Sequence, residues 1–260
     1  MVNGPPSFLT LPERAHKPRS RGITHILDKG MPVDDVERML AVAGRYIDVW
    51  KLGWGTAYLD PGLQAKLSLL AEHAVMACTG GTLLEVAWQQ GAVDAYLDWA
   101  CSQHFPSVEV SCGVAAMRPG DKQRLISKAA QRYVVLAEVG TKDPQATVTA
   151  EAWAAEAVAD LEAGARWVVT EGRESGTVGL YDPDGTVRAG VVSAVVEAAG
   201  LDRIIFEAPR KDQQAWLIRR LGPDVGLGNI AASEVLGMEA LRLGLRADTF
   251  DATPSPVRHP

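Results

Sequence analysis

The sequence predicts a (β/α)8 barrel. Three observations carry that prediction. Eight short apolar or β-branched runs recur along the 260 residues, longer helical patterns fill the intervals, and charged side chains gather at the C-terminal ends of the runs. Eight strand–helix units in a chain of this length suit a closed barrel, whose functional rim lies at the C-terminal ends of its strands. A doubly wound sheet is the alternative that periodicity alone leaves open.

The runs, in order, are HILDK at 25–29, IDVWKLG at 47–53, AVMACTG at 74–80 and VEVSCG at 108–113. VVLAEVG at 134–140, WVVTEG at 167–172, RIIFEAP at 203–209 and DVGLGNI at 224–230 complete the set. Their inner residues are apolar on consecutive positions rather than alternate ones, which suits strands covered by helices on one face and packed on the other. The eighth run is the weakest, because Gly226 and Gly228 lower its strand propensity.

Helices are predicted after Pro32 in VDDVERMLAVAG and over 61–73, where Leu63, Leu67 and Leu70 form an apolar stripe. Further helical patterns cover 82–90, 92–103, 120–131, 149–163, 188–199, 211–220 and 232–243. Gly44, Gly164, Gly200 and Gly222 stand where helices end. The longest irregular stretch, 173–187, contains ESG and YDPDG and reads as an active-site loop or β-turn. Residues 1–21 read as a flexible arm, 22–250 as a single catalytic barrel, and the Pro-rich 251–260 as a flexible tail.

Composition narrows the function classes. With 47% hydrophobic residues and a net charge of only −6, the chain has enough apolar surface to fold. An acidic chain without a long basic run makes a poor nucleic-acid binder, although a local positive site can still hold a small anion. Cys78, Cys101 and Cys112 show no CxxC spacing and read as buried thiols in a reducing compartment. No leader-like apolar segment or membrane-length run is present, so a soluble cytoplasmic protein is expected.

The polar strand ends carry the chemistry. They bring Asp28 with Lys29, Lys51, Glu109 with Ser111, Glu138 with Lys142, Glu171 with Arg173 and Glu174, Glu207 with Arg210 and Lys211, and Asn229 to one rim. Carboxylates in apolar strands are costly unless paired, hydrogen-bonded or metal-bound. Carboxylates mixed with cations point to a phosphate- or carboxylate-bearing ligand held with a hard divalent ion, Mg²⁺. Asp28, Glu138, Glu171 and Glu207 are candidates for the metal side. Lys51, set between Trp50 and Leu52, demands an anionic partner, and Lys142 is a candidate general acid. Gly80 and Gly81 in CTGGTLLE precede a helix and could offer N–H groups to a phosphate, and Arg246 could add positive charge if its loop folds back. His25, His73 and His104 read as structural.

Several of these segments together resemble the phosphosulfolactate synthase family. They are LDKGMP at 27–32, DVWKLGWGTAYL at 48–59, TGGTLLEVA at 79–87, EVGTK at 138–142, WVVTEGRESG at 167–176, IIFEAPRKDQQAW at 204–216 and GNIAASEVLGMEALRLGLRADTF at 228–250. The resemblance runs from Thr24 to Phe250 in consistent order. It implies a TIM-barrel enzyme that joins sulfite to phosphoenolpyruvate with Mg²⁺, giving (2R)-2-phospho-3-sulfolactate, an early step in one route to coenzyme M. It also implies a homo-oligomer of unspecified order. Lys142 matches a lysine of the family's EVGKK segment and is the implied acid at C2. Lys51 and Glu138 are the other catalytic candidates. Asp28, Glu171 and Glu207 are metal candidates, while Lys29, Gly80, Gly81, Ser111, Arg173, Lys211, Arg210, Asn229 and Arg246 are substrate-binding candidates.

The chain departs from the family pattern after the fourth strand. Where the family reads close to EISDGSSDI, this chain reads EVSCGVAAM, so Cys112, Val114, Ala115 and Ala116 replace polar and acidic residues, and Thr141 replaces one lysine. Loss of a donor to a charged substrate costs roughly 1.5–3 kcal/mol, enough to shift selectivity. Two other readings therefore stand beside the first. One is the same enolpyruvate chemistry with a different small nucleophile; the other is a stress-associated or ligand-binding relative without turnover.

Overall fold

A computed structural model describes residues 8–115, 117–140 and 149–252. All eight apolar runs form parallel strands: β1 (Thr24–Asp28), β2 (Val49–Leu52), β3 (Met76–Thr79), β4 (Ser107–Val110), β5 (Val134–Val139), β6 (Trp167–Thr170), β7 (Ile204–Glu207) and β8 (Gly226–Ile230). They pair in sequence order, and β8 closes on β1 through Thr24–Leu227 and Ile26–Ile230. The sheet is therefore a closed barrel, and the doubly wound alternative falls.

Helices α1 (Val33–Ala43), α2 (Thr56–Leu59), α3 (Leu63–Glu72), α4 (Gly81–Gln89) and α5 (Val93–Ser102) connect the first four strands. After them come α6 (Pro119–Ala129), α7 (Ala150–Glu162), α8 (Ala189–Ala199), α9 (Lys211–Leu221) and α10 (Val235–Arg242). The longer helices lay apolar faces on the outside of the strands. In α3, Leu63, Leu67 and Leu70 are buried at that spacing. No helix among the described residues is long and apolar enough to cross a membrane.

The period of two along each strand divides two cores. Ile26, Trp50, Val108, Ala137, Val168 and Phe206 face the helices, whereas Ile23, Val49, Cys78, Leu136, Val169 and Ile205 pack inside the barrel. Glycine is needed in β8 because the barrel interior is already full. A Cβ on Gly228 would stand 3.0 Å from His25 Nδ1 and from Ile205, and one on Gly226 would meet the Ile204 carbonyl at 2.3 Å. The weak propensity of this run is thus a packing requirement.

The described residues before β1, 8–23, have no regular secondary structure, and several of their side chains are held against the barrel. Arg14 pairs with Asp224 and Glu239, Arg19 with Asp48, and the Lys17 ammonium donates to the Gly44 and His73 carbonyls. These contacts tie residues 14–19 to the barrel floor, opposite the rim. Arg242 plugs that floor from α10, donating to the Pro223, Val225 and Ile23 carbonyls.

Candidate active site

Inward-facing positions turn from apolar to ionised toward the C-terminal ends of the strands. Two residues beyond Val49 stands Lys51; beyond Ser107, Glu109; beyond Leu136, Glu138; beyond Val169, Glu171; and beyond Ile205, Glu207. Strand alternation puts all five on the barrel axis side. They line a cavity of about 320 Å³ at the mouth, together with Leu27, Trp54, Val114, Arg173 and Asn229.

Lys51 organises this cavity. Its ammonium donates to Glu109 Oε2 at 2.9 Å and to Glu207 Oε1 at 3.1 Å. The remaining oxygens are held by backbone: Gly81 N–H donates to Glu109 Oε1 and Gly172 N–H to Glu207 Oε2, both at 2.9 Å. Burial alone would lower the lysine pKa, but Glu109, Glu207 and Glu138 outweigh it and hold the group well above its ordinary value. Lys51 is therefore a fixed cation. Burial pushes Glu109 upward; Lys51 pulls it back, while Glu138 and Glu207 push it further up.

The backbone at the rim is bent to aim side chains. Trp54, Arg173 and Asn229 adopt φ of 53°, 51° and 53°, and all three line the cavity. Such left-handed non-glycine residues cost on the order of 1–3 kcal/mol each and cluster at functional sites. Arg173 is fixed in this bend by its own N–H, which donates to Glu171 Oε1 at 2.7 Å. The Asn229 side chain is 7% exposed, and its Oδ1 has no hydrogen-bond partner among the described residues. A ligand, a bound cation or an ordered water would satisfy such an acceptor.

Not every rim candidate enters the cavity. Asp28 alternates outward from Leu27, and its carboxylate accepts from Gly30 N–H, Met31 N–H, Trp50 Nε1 and Lys66 Nζ between 2.7 and 3.2 Å. That arrangement makes it a brace for the turn after β1, apart from Glu171 and Glu207. Gly80 N–H is spent on the Leu52 carbonyl and Gly81 N–H on Glu109, so these two N–H groups serve the barrel rather than a phosphate. The Ser111 hydroxyl donates to Glu85. Arg210 reaches the Asp184 carbonyl, Lys211 pairs with Asp248 at 2.7 Å, and Arg246 contacts the Gly237 carbonyl. These three cations are absent from the cavity lining. Lys29 lies at its edge, paired with Glu174 at 2.7 Å. Lys142 and Thr141 lie outside the described residues.

Three buried groups escaped sequence reading. Glu85 on α4 accepts from Gly113, Val114 and Ala115 N–H at 2.6–3.1 Å and thereby fixes the loop after β4. Lys66 binds Asp28 and Asp60, and Lys122 binds the Glu138 carbonyl at 2.7 Å and Glu156 at 2.6 Å. A signal existed: Lys66 occupies the Leu63–Leu67–Leu70 stripe, and Glu85 adjoins Leu84 on the buried face of α4.

Among the described residues, no three His, Cys, Asp or Glu side chains form a cage for a metal. Mg²⁺ needs no such cage, because it is commonly bound by one or two carboxylates together with water and substrate phosphate oxygens. The cavity suits it on charge. Glu109, Glu138, Glu171 and Glu207 face Lys51 and Arg173.

Comparison with known proteins agrees with this geometry. The family model described as (2R)-phospho-3-sulfolactate synthase (ComA) matches residues 12–248. The chain is 38% identical over 245 residues to the phosphosulfolactate synthase of Bacillus subtilis (strain 168), covering 93% of this chain and 97% of that one. It is 40% identical over 249 residues to the phosphosulfolactate synthase of Methanothermobacter thermautotrophicus, covering 94% and 96%. Among solved structures, 3-keto-L-gulonate-6-phosphate decarboxylase from Vibrio cholerae superposes with a TM-score of 0.54 at 12% identity, covering 90% of this chain and all of that one. A 3-hexulose-6-phosphate synthase gives 0.51 at 16%, covering 84% and 99%. Those two likenesses show the barrel alone, whereas the family match and the two close relatives extend over nearly the whole chain and show that it belongs to the (2R)-phospho-3-sulfolactate synthase family.

Proposed function

We propose that this protein adds sulfite to phosphoenolpyruvate to give (2R)-2-phospho-3-sulfolactate. The observation that carries the reading is the Lys51 network: one buried, permanently charged lysine at the floor of a rim cavity in a chain of this family. Phosphoenolpyruvate bears its phosphate and carboxylate on C2, and C3 is an uncharged methylene. The sulfite sulfur donates its electron pair to C3, the C2–C3 π pair shifts toward C2 and the carboxylate, and a proton then adds at C2. Lys51 and Arg173 supply fixed positive charge where negative charge grows.

Because Lys51 is held so firmly in its charged form, it serves as an electrostatic stabiliser rather than as the proton donor. Lys142 fits the donor role by its place after β5. Glu171 and Glu207 would hold Mg²⁺. The ion would supply Lewis-acid stabilisation of the carboxylate charge. Glu138, on β5 across the barrel, strengthens the charge on Lys51. The substrate is a small anion, and the protein works as a homo-oligomer.

The test is an incubation of purified protein with phosphoenolpyruvate, sulfite and Mg²⁺, followed by phosphorus NMR and mass spectrometry. Phosphosulfolactate should form only when all three are present. No product at saturating substrate would overturn the reading. One observation favours a second reading with a less charged nucleophile: Val114 presents an apolar side chain to the cavity where the family pattern is polar. Consumption of phosphoenolpyruvate with such a nucleophile, and none with sulfite, would support it.

A further inference from the structure

A second cavity, of about 550 Å³, lies over the loops that follow β1 and β8. It shares Leu27, Glu174 and Asn229 with the mouth cavity, and Lys29 lines it. The partition between the two consists of the half-exposed Lys29–Glu174 ion pair and the buried Asn229 side chain. On the opposite wall, four donors of the loop after β4 are committed. Glu85 takes the Ser111 hydroxyl and the N–H groups of Gly113, Val114 and Ala115, leaving Val114 to face the cavity.

Those features separate the two substrates. Phosphoenolpyruvate carries all its charge at C2, so its anionic end belongs with Lys51 and Arg173. The nucleophile is itself an oxyanion and requires donors of its own. On the β4 wall those four donors are taken, whereas the β1–β8 side provides an ammonium and a carboxamide whose Oδ1 has no partner among the described residues. Rotation of that carboxamide about its terminal bond presents either its oxygen or its NH₂ to a ligand.

We propose that the partition between the two cavities is the subsite for the sulfur oxyanion, formed by Lys29 and Asn229, with Glu174 holding the Lys29 cation until the oxyanion takes its place. The oxyanion enters through the second cavity, exchanges for the Glu174 carboxylate on Lys29, and meets the C3 methylene past Asn229. This assignment rests on the proposed reaction and adds to it which residues select the second substrate.

The test separates the two substrates kinetically in wild type, Lys29→Met, Asn229→Gly and Glu174→Gln. Glycine is chosen at 229 because it accepts the left-handed backbone there. Lys29→Met and Asn229→Gly should each raise KM for sulfite about tenfold and leave KM for phosphoenolpyruvate within twofold. Glu174→Gln, which removes the competing carboxylate, should lower KM for sulfite at least ~3-fold. Parallel changes for both substrates, or a higher sulfite KM in Glu174→Gln, would overturn the subsite. Calorimetric titration of sulfite into the phosphoenolpyruvate-loaded proteins with Mg²⁺ withheld gives a readout without turnover. Tighter binding in Glu174→Gln with weaker binding in Asn229→Gly supports the subsite even if wild type forms no phosphosulfolactate, an outcome that overturns only the reaction. Equal sulfite affinity in all four proteins overturns the subsite.

Discussion

Lys51 and Glu207 meet 3.1 Å apart across the barrel interior, and this contact closes a chain from Gly81 N–H through Glu109, Lys51 and Glu207 to Gly172 N–H. Two helix- and loop-leading backbone groups are thereby locked to one ammonium. The site is rigid before any substrate arrives, which is the condition under which fixed charge stabilises a developing anion best.

Replacing Lys51 with Met should therefore do two things. Turnover should fall by about 10²–10³, the range seen when one preorganised charge partner is lost. Stability at neutral pH should fall by about 3–5 kcal/mol, because buried carboxylates lose their counter-ion. Burial already raises the pKa of Glu109, so protonation relieves part of that loss, and the difference from wild type should shrink as pH falls toward 5. Denaturant unfolding at pH 7.5 and pH 5 measures both; a constant difference would contradict the account.

Asp28 tests the distinction between a brace and a ligand. Its carboxylate has four donors on the outer side of the strand wall. Asp28→Asn should cost about 2–4 kcal/mol of stability, and Lys66→Met a similar amount, since each leaves one partner of a buried pair behind. Neither should change Mn²⁺ affinity, read by electron paramagnetic resonance of the phosphoenolpyruvate-loaded protein, by more than twofold. A tenfold loss in Asp28→Asn alone would return this carboxylate to the metal.

The loop after β4 offers a third measurement. With Glu85 removed, three N–H groups and the Ser111 hydroxyl lose their acceptor. Glu85→Ala should speed hydrogen exchange at Gly113, Val114 and Ala115 by at least ~10-fold while the amides of β5 keep their protection. Exchange unchanged at these three positions would show that the loop is held by other contacts.

The eight consecutively apolar runs, and the charged or polar residues near the ends of most of them, made the barrel and its rim legible from sequence. Lys51, Glu138, Glu171 and Glu207 could be placed because each stands in a strand or directly after one, where burial of a charge is conspicuous. Strand parity would have gone further: Leu27 faces inward, so Asp28 must face out. What stayed hidden depends on helix-to-loop contacts distant in sequence. Glu85 reaches a loop 28 to 30 residues away, and Lys66 reaches Asp28 across 38. Arg210, Lys211 and Arg246 are positioned by partners that the sequence does not name. Sequence puts them beside the rim, but carbonyl and carboxylate partners hold them outside the cavity.

His25 supplies a pH signature of its own. It is fully buried inside the barrel, neither ring nitrogen has a hydrogen-bond partner among the described residues, and Gly228 leaves the space it fills. Burial first, and the Lys51 charge second, hold its pKa well below the ordinary value of 6.5. The folded protein therefore keeps this imidazole neutral while the unfolded chain binds a proton below pH 6.5. Stability present above that pH is lost as pH falls from 6.5 toward the folded-state value, at about 1.4 kcal/mol per pH unit for one proton. Replacing His25 with Gln, which also fits beside a glycine but does not titrate, should remove one proton from the pH dependence of unfolding between pH 6.5 and 5. Urea unfolding at half-unit pH steps measures the slope, and identical slopes in wild type and His25→Gln would show that the imidazole is already protonated in the fold.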